Sequence, residues 1–270
     1  MKYINLAAFI CLLAAGMHAH AQELYVFTEP ASNMPAKSIG IRVTNEGILN
    51  AGRMNRTIPE VMFSFSKSLM IHVQGSSSDM DGKYRLEGGS LYTKFRFLSL
   101  DGAQRHLRAA AFGRISTSKR PVYTEDINLE GDNSGVQAGF VVTQLLHKLA
   151  LSASLSYIKA YERESNKMAG MPQPDQLIGY SLSSGYLLLP VVYKDYSQPN
   201  FNLYVEMLGK TNPANGRSYF DLAPAVQVVL NSRTRIDFGY RFQVAGGIPG
   251  RYTKNMYLLR AEFNFFNSLK

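Results

Sequence analysis

Polar and apolar residues alternate with a period of two along most of this chain, and the segment just before the C-terminus shows the pattern most clearly. Between residues 256 and 266 the apolar series is Tyr257, Leu259, Ala261, Phe263 and Phe265. The polar series between them is Arg260, Glu262 and Asn264. Because successive side chains of a strand point to opposite faces, this segment predicts a β-strand with one apolar face and one polar face.

The same alternation, bounded by turn residues, predicts about twelve strands along the chain. They are Ser38–Asn45, Pro59–Ser66, Leu69–Ser77, Gly89–Leu98, His106–Ser116, Gly135–Leu146, Leu149–Tyr161, Gln176–Leu189, Asn200–Lys210, Tyr219–Leu230, Arg235–Val244 and Met256–Phe266. Most have the length of roughly 9 to 11 residues that crosses a bilayer at a tilt of about 45°. The pattern therefore indicates an all-β protein with strands long enough to span a membrane.

The connections between these strands alternate in length. Short links are expected at 66–68, 147–148 and 231–234, with a moderate one at 99–105. Longer polar links are expected at 46–58, 78–88, 117–134, 162–175, 211–218 and 245–255, and only 190–199 breaks the alternation. Transmembrane barrels have short periplasmic turns and longer outer loops, so the succession predicts that both termini are periplasmic.

Ionised side chains fall on one face of nearly every predicted strand. The residues expected to line a lumen are Lys94, Arg96, Arg108, Arg114, Glu206, Asp221, Asp237, Arg241, Arg260 and Glu262. A closed antiparallel transmembrane barrel encloses such charges and pairs every backbone group. A soluble sandwich or lipocalin-type barrel would show the same alternation, but the number of strands and the 16 Tyr and 15 Phe residues favour the membrane barrel.

The N-terminus predicts export and sets the domain organisation. Lys2, the apolar stretch 4–15 and Ala19-His20-Ala21 fit a cleaved signal peptide over residues 1–21. Residues 22–37 are then a periplasmic or lumenal segment, and residues 38–270 form the barrel. The single cysteine, Cys11, lies within the predicted signal peptide, so the mature chain is expected to contain no thiol. The net charge of +9 is scattered, without the basic cluster that nucleic-acid binding requires.

The terminal strand resembles the C-terminal insertion signal of bacterial outer-membrane barrels through Tyr257, Leu259, Phe263, Phe265 and Phe266. Residues 59–69, 221–227 and 236–241 resemble Gram-negative outer-membrane barrels of the transporter and phenol-degradation-pathway (MetA-type) group, and more distantly the FadL-like hydrocarbon channels. This resemblance implies a barrel that passes small molecules. It also implies outer-membrane lipid, lipopolysaccharide and the barrel-assembly machinery as partners. FadL-type channels carry an N-terminal plug, and residues 23–37 are either such a plug or a plain tether.

Candidate chemistry beyond the lumen is weak in this sequence. The lumenal charges either pair across the barrel and hold its wall together, or line a narrow pore that favours anions or orients a polar solute. His72, His106 and His147 show no pairing with a nucleophile motif, so no enzyme and no cofactor are predicted. Glu125, Asp126, Glu130 and Asp132 lie in the longest outer loop, but solubility explains them better than metal binding, and no metal site is predicted.

Three functions therefore remain open from the sequence. The first is a passive channel or transporter for an unidentified small molecule. The second is a non-conducting structural or interaction barrel, in which the loop 117–134 would dock a partner. An enzyme acting on membrane lipid is a distant third.

Overall fold

The computed structural model describes residues 24–48, 54–79, 82–102, 105–121, 124–161, 176–192 and 197–269. The predicted signal peptide and the link 162–175 lie outside the described residues. The strands are β1 (Ser38–Ile48), β2 (Met54–Ser64), β3 (Leu69–Ser78), β4 (Arg85–Gly102), β5 (Arg105–Ser118), β6 (Gly135–Leu146), β7 (Leu149–Ala160), β8 (Gln176–Leu189), β9 (Asn200–Thr211), β10 (Ser218–Leu230), β11 (Thr234–Gly246) and β12 (Asn255–Phe265). In the part of the chain that is described, no helix is long and apolar enough to cross a membrane.

Each strand pairs with its neighbours in sequence, and β1 pairs with β12 to close the barrel. All pairs are antiparallel, as for example where Arg42 of β1 lies opposite Glu262 of β12 on one side and opposite Glu60 of β2 on the other. Closure removes every free strand edge. The prediction of a closed antiparallel barrel of about twelve strands is confirmed.

The outer surface of the barrel is apolar and its interior is polar. Side chains such as Val73, Phe140 and Phe238 face outward and are about half exposed, whereas the inward series contains buried ionised groups such as Arg42 and Glu262. An apolar outer band around a polar interior is the arrangement of a transmembrane barrel. It is the reverse of the soluble lipocalin-type barrel, whose apolar face points inward.

Several strands are longer than the alternation predicts, and β2 and β4 differ most. β2 begins at Met54 instead of Pro59, because the β1–β2 pairing continues as far as Ile48 opposite Met54. Pro59 lies where the β2–β3 pairing is interrupted, between Thr57 opposite Ser77 and Glu60 opposite Gln74. Proline has no backbone N–H to donate, which is tolerated where the strand pairing is interrupted, so Pro59 does not end the strand. β4 spans 18 residues, and a bulge at Phe97 changes its register partway along.

The connections of the two barrel ends differ as expected. At one end, called the short-turn end, β4–β5 and β6–β7 are joined by two residues each. The β10–β11 turn there contains Asn231 and Ser232 at φ 50° and 54°, left-handed values that suit the twist of a tight hairpin. At the other end, called the long-loop end, residues 119–134 connect β5 to β6. The β1–β2 link is shorter than expected, because both strands extend into it.

Two segments outside the strands enter the barrel. Residues 24–37, called the plug, lie inside the lumen toward the short-turn end, where Ala31 and Val26 are fully buried. The described parts of the β5–β6 connection, residues 119–121 and 124–134, are called the inner loop; they fold back into the lumen from the long-loop end, where Ile127 and Leu129 are buried. The lumen between them is the part of the molecule where a solute would have to pass.

Candidate functional site: the barrel lumen

Glu206 of β9 is the main anchor of the plug. Its carboxylate is fully buried and accepts hydrogen bonds from the backbone amides of Val26 and Phe27, each at 2.8 Å. The hydroxyl of Thr28 donates to the second carboxylate oxygen at 2.7 Å. The plug forms no helix or strand here, so its backbone groups depend on the barrel wall for their partners.

Lys94 of β4 holds the next part of the plug. Its buried ammonium donates to the carbonyl oxygens of Pro30 at 2.7 Å and Ser32 at 2.8 Å. From β6, two strands away, the hydroxyl of Thr143 accepts a hydrogen bond from the amide of Ala31 at 2.9 Å. Side chains from three different strands thus fix the plug across the lumen.

An ionised belt lies on the β11–β12–β1–β2 side of the lumen at the level of the plug. Arg42 of β1 binds Glu29 of the plug at 2.7 Å, Glu262 of β12 at 2.8 Å and Glu60 of β2 at 3.2 Å. Arg235 of β11 lies 3.6 Å from the same Glu262. Each guanidinium therefore bridges neighbouring strands, and such shared pairs make the belt part of the barrel's framework.

Asp132 connects the inner loop to the barrel wall and also connects two parts of the loop to each other. Its carboxylate accepts hydrogen bonds from Arg56 of β2, Arg120 of the loop and the phenol of Tyr252. The Arg120 guanidinium also lies 5.0 Å from the centre of the Tyr252 ring. Burial alone would raise the pKa of Asp132, but the charges of Arg56 and Arg120 outweigh it and hold this pKa below its ordinary value.

The other half of the inner loop is attached by polar and apolar contacts. Lys210 of β9 donates to the carboxylate of Asp126 at 2.9 Å and to the carbonyl oxygen of Ile127 at 2.6 Å. Ile127 and Leu129 belong to a buried apolar cluster that also contains Ile158, Ala160, Leu177, Tyr219 and Ile248. The loop is therefore docked against β7, β8, β9 and β10 and against the β11–β12 link.

A cavity of about 270 Å³ lies between the plug and the inner loop. One side of it carries the charged residues of β1, β2, β11 and β12, including Arg42 and Arg260. The opposite side, formed by β6–β8, is uncharged and small, with Gln137, Ser154, Ser156, Gly179 and Ser181. Because these side chains are short, the free space lies mainly beside this wall, which we call the serine wall.

An aromatic patch forms another part of the cavity lining. Tyr92 and Phe112 lie 5.8 Å apart between their ring centres, and the guanidinium of Arg114 stands 5.3 Å from the centre of the Tyr92 ring. Arg114 also pairs with Glu130 of the inner loop at 2.8 Å. The cavity thus combines hydroxyl, aromatic and charged groups in a small volume.

The ten residues predicted to line the lumen occupy different surroundings. Lys94 and Glu206 hold the plug, and Arg108 donates to the Ser32 hydroxyl at 2.9 Å. Asp221 binds Arg241 at 2.5 Å and also pairs with Arg251. Arg96 is partly exposed near the short-turn end. The remaining members are Arg114, Asp237, Arg260 and Glu262, all with side chains at most 11% exposed.

Several lumenal residues were missed by the sequence prediction. Arg42 and Glu60 lie in predicted strands on the inward series, so the alternation could have found them. Arg56 was placed in a predicted link, and Arg120, Asp132 and Arg251 lie in loops, where periodicity carries no signal. Nothing in the local pattern indicates that a polar loop turns into the barrel.

The residues of the expected insertion signal lie on the closing strand. Leu259, Phe263 and Phe265 face outward and are about half exposed, while Tyr257 is partly buried and donates to Asn45 at 2.9 Å. Phe266 follows the last strand residue and is partly buried. Their role in membrane insertion remains a prediction.

The histidines and the acidic loop residues have ordinary structural partners. His72 lies 2.6 Å from Glu60, His106 lies 2.8 Å from Asp101, and His147 is a turn residue. The loop carboxylates face bases, in the pairs Glu125 with Arg217, Asp126 with Lys210, Glu130 with Arg114 and Asp132 with Arg56. Over the described ranges, no group of three or more His, Cys, Asp or Glu residues is placed to hold a metal ion.

No family model matches this chain, and no curated protein matches it. Among solved structures, the COG4313 outer membrane channel from Pseudomonas putida F1 is similar with a TM-score of 0.55 at 12% identity, covering 89% of this chain and 100% of that chain. The NanC porin is similar with a TM-score of 0.51 at 13% identity, covering 84% of this chain and 98% of that chain. An outer membrane phospholipase A from Escherichia coli reaches 0.43 at 9% identity over 94% and 96% of the two chains, too low to support an argument. These likenesses show the fold, that of outer-membrane β-barrels.

Proposed function

We propose that this protein is an outer-membrane channel that passes a small polar solute, and that the plug and the inner loop close its lumen at rest. The observation that carries the proposal is the polar cavity of about 270 Å³ between the two segments. Protein interiors are normally close-packed, and an open polar cavity contributes nothing to stability. A barrel of this size is intermediate between eight-stranded barrels filled by side chains and wide aqueous channels.

The location in the outer membrane is supported by three independent features. The outer surface is apolar, the fold is similar to that of an outer membrane channel and a porin, and residues 1–21 read as a signal peptide. A closer relationship to the MetA-type or FadL-like barrels is also part of the proposal, and it rests on residues 59–69, 221–227 and 236–241 alone.

The plug and the inner loop are attached to the barrel wall by side chains and not by strand pairing. The plug depends on Glu206 and Lys94, and the inner loop on Asp132 and Lys210. Local opening of such segments leaves the hydrogen bonds of the barrel intact, so it costs much less than global unfolding. A solute path would then run along the serine wall.

A non-conducting barrel is the second candidate, and a specific observation favours it. The plug and the inner loop fill both ends of the lumen, and ion pairs such as Arg42 with Glu262 connect neighbouring strands. In this alternative the lumenal charges are structural, and the long-loop end serves to bind a partner.

Single-channel recording in planar bilayers distinguishes the two candidates. We expect the purified mature protein to show discrete conductance steps. Substitution Ser154→Trp, on the serine wall, is expected to suppress them by filling the path. The matched control is Leu155→Trp, one residue away on the outward face, which adds the same indole on the lipid side and leaves the steps unchanged. Absence of steps in both the wild type and a plug-released variant would instead support the non-conducting barrel.

A further inference from the structure

Arg260 lines the cavity, and its charge has no carboxylate at hydrogen-bond distance among the described residues. It projects inward from β12, and its Nε donates to the hydroxyl of Thr44 at 3.0 Å. Its nearest carboxylate, within the part of the chain that is described, is Asp237, whose Oδ2 lies 3.7 Å from a terminal guanidinium nitrogen. That distance is too long for a hydrogen bond, so most of the terminal donors of Arg260 are available to the cavity.

The carboxylate of Asp237 is already occupied by other partners. Arg235 donates to its Oδ2 at 2.8 Å, and Gln227 donates to its Oδ1 at 2.9 Å. Other inward arginines have a carboxylate of their own at short range, such as Arg42 with Glu29 at 2.7 Å and Arg241 with Asp221 at 2.5 Å. Arg260 differs from them in having no short carboxylate contact among the described residues.

The carboxylates that line the cavity do not neutralise the charge of Arg260 either. Each of the five carboxylates that line it lies within 3.2 Å of another basic side chain, in the pairs Glu29 with Arg42, Glu60 with Arg42, Glu46 with Arg56, Asp126 with Lys210 and Glu130 with Arg114. A buried guanidinium without a close anion is costly. An incoming anion would supply the missing partner and meet no unpaired carboxylate on the lining.

We propose that Arg260 is the anion-binding residue of this cavity and that it takes the carboxylate of a small solute. Its planar fork suits a two-point contact with a carboxylate, and Thr44 holds the side chain in position through Nε. Across the cavity the hydroxyls of Ser154 and Ser181 hydrogen-bond to each other at 2.6 Å and keep one donor and further acceptor sites between them for the rest of the solute. The cavity volume of about 270 Å³ favours a small solute.

This inference rests on the proposed function only in assuming that a solute reaches the cavity, and its test measures binding without conduction. Succinate and its neutral isostere succinamide are titrated calorimetrically into the full mature barrel in detergent, with folding verified by heat-dependent gel migration. We expect succinate to bind at least tenfold more tightly than succinamide, because only the anion can pair with Arg260. Arg260→Gln should abolish this preference, and Arg260→Lys should retain part of it.

The control is Arg233→Gln in the β10–β11 turn, which removes the same charge from an exposed position and should leave the preference unchanged. Equal succinate binding by the wild type and Arg260→Gln, or a wild type without preference for the anion, overturns the proposal. If Arg260→Gln does not fold, Thr44→Val tests the same site, since it removes the hydroxyl that holds Arg260 and should weaken succinate binding. A barrel that binds succinate through Arg260 but never conducts would refute the channel and support the anion-binding site. A barrel that conducts but shows no such binding would support the channel and refute the site.

Discussion

Removing the carboxylate of Glu206 tests whether the plug is a releasable closure. Substitution Glu206→Ala leaves the buried amide of Val26, the part-buried amide of Phe27 and the hydroxyl of Thr28 without their acceptor. The barrel strands keep all their backbone hydrogen bonds, so the loss falls on the docked plug. We therefore expect the plug to leave the lumen while the barrel stays folded.

The size of the effect follows from the hydrogen bonds that are lost. A buried donor without an acceptor costs about 1 to 3 kcal/mol, so two amides at about 2 kcal/mol each weaken docking by about 4 kcal/mol. At about 1.4 kcal/mol for each tenfold change, the undocked fraction should rise by roughly a thousandfold. Glu206→Gln is the matched control, because its amide oxygen still accepts from both backbone amides and the side-chain volume is kept. Its effect should stay within roughly tenfold.

Chemical labelling measures the undocked fraction directly. Ala31 is fully buried in the docked plug, and the predicted mature chain contains no cysteine, so Ala31→Cys introduces a single thiol. In this background we expect Glu206→Ala to react with a water-soluble maleimide at least a hundredfold faster than Glu206→Gln, at a factor of ten for each 1.4 kcal/mol or so. Equal labelling rates in the two variants would refute the view that Glu206 holds the plug.

Three further predictions concern the inner loop and the outer surface. Asp132→Asn should release the inner loop, since breaking a buried ion pair costs roughly 3 to 5 kcal/mol. A thiol introduced by Ile127→Cys should then react faster with a maleimide. An unchanged reaction rate would contradict this prediction. Because the pKa of Asp132 in the docked loop lies below its ordinary 3.8, its contribution to docking is complete above pH 3.8 and is lost as the pH falls through the docked value. Labelling at the same cysteine should therefore be constant from about pH 5 to 8 and rise only in stronger acid, and a rise already near neutrality would be inconsistent with this. Leu259→Arg places a charge on the outward face of β12 and should lower the stability of the barrel in lipid vesicles by about 2 to 4 kcal/mol, while Leu259→Ala should cost less, as measured by urea unfolding.

The prediction of the barrel from the sequence succeeded because strand periodicity is a local property. The alternation of Tyr257, Leu259, Phe263 and Phe265 with polar residues identifies two faces within one strand, without reference to the rest of the chain. Glu206, Asp237 and Arg260, which this reasoning assigned to the polar face, are largely buried in the structure. Strand ends were less accurate where proline or a bulge interrupts the pattern, as at Pro59 and Phe97.

The interior of the lumen depended on the tertiary structure. Val26 meets Glu206 across 180 positions of sequence, and Arg42 meets Glu262 across 220. These contacts depend on closure between β1 and β12 and on the register of the strands between them, which no local pattern contains. The inward position of the inner loop depends likewise on Arg56 and Lys210, which lie on the wall of the closed barrel and bind Asp132 and Asp126.

What the sequence by itself determined is therefore the class of molecule: strands of membrane-spanning length, an apolar face for lipid and a charged face for an enclosed axis. Only the tertiary structure decided which charges neutralise each other, where the plug and inner loop lie, and that Arg260 lines a cavity with no carboxylate at hydrogen-bond distance among the described residues. The reason is that side-chain direction along a strand depends on neighbouring residues, whereas the partners inside a closed barrel depend on the geometry of the whole ring.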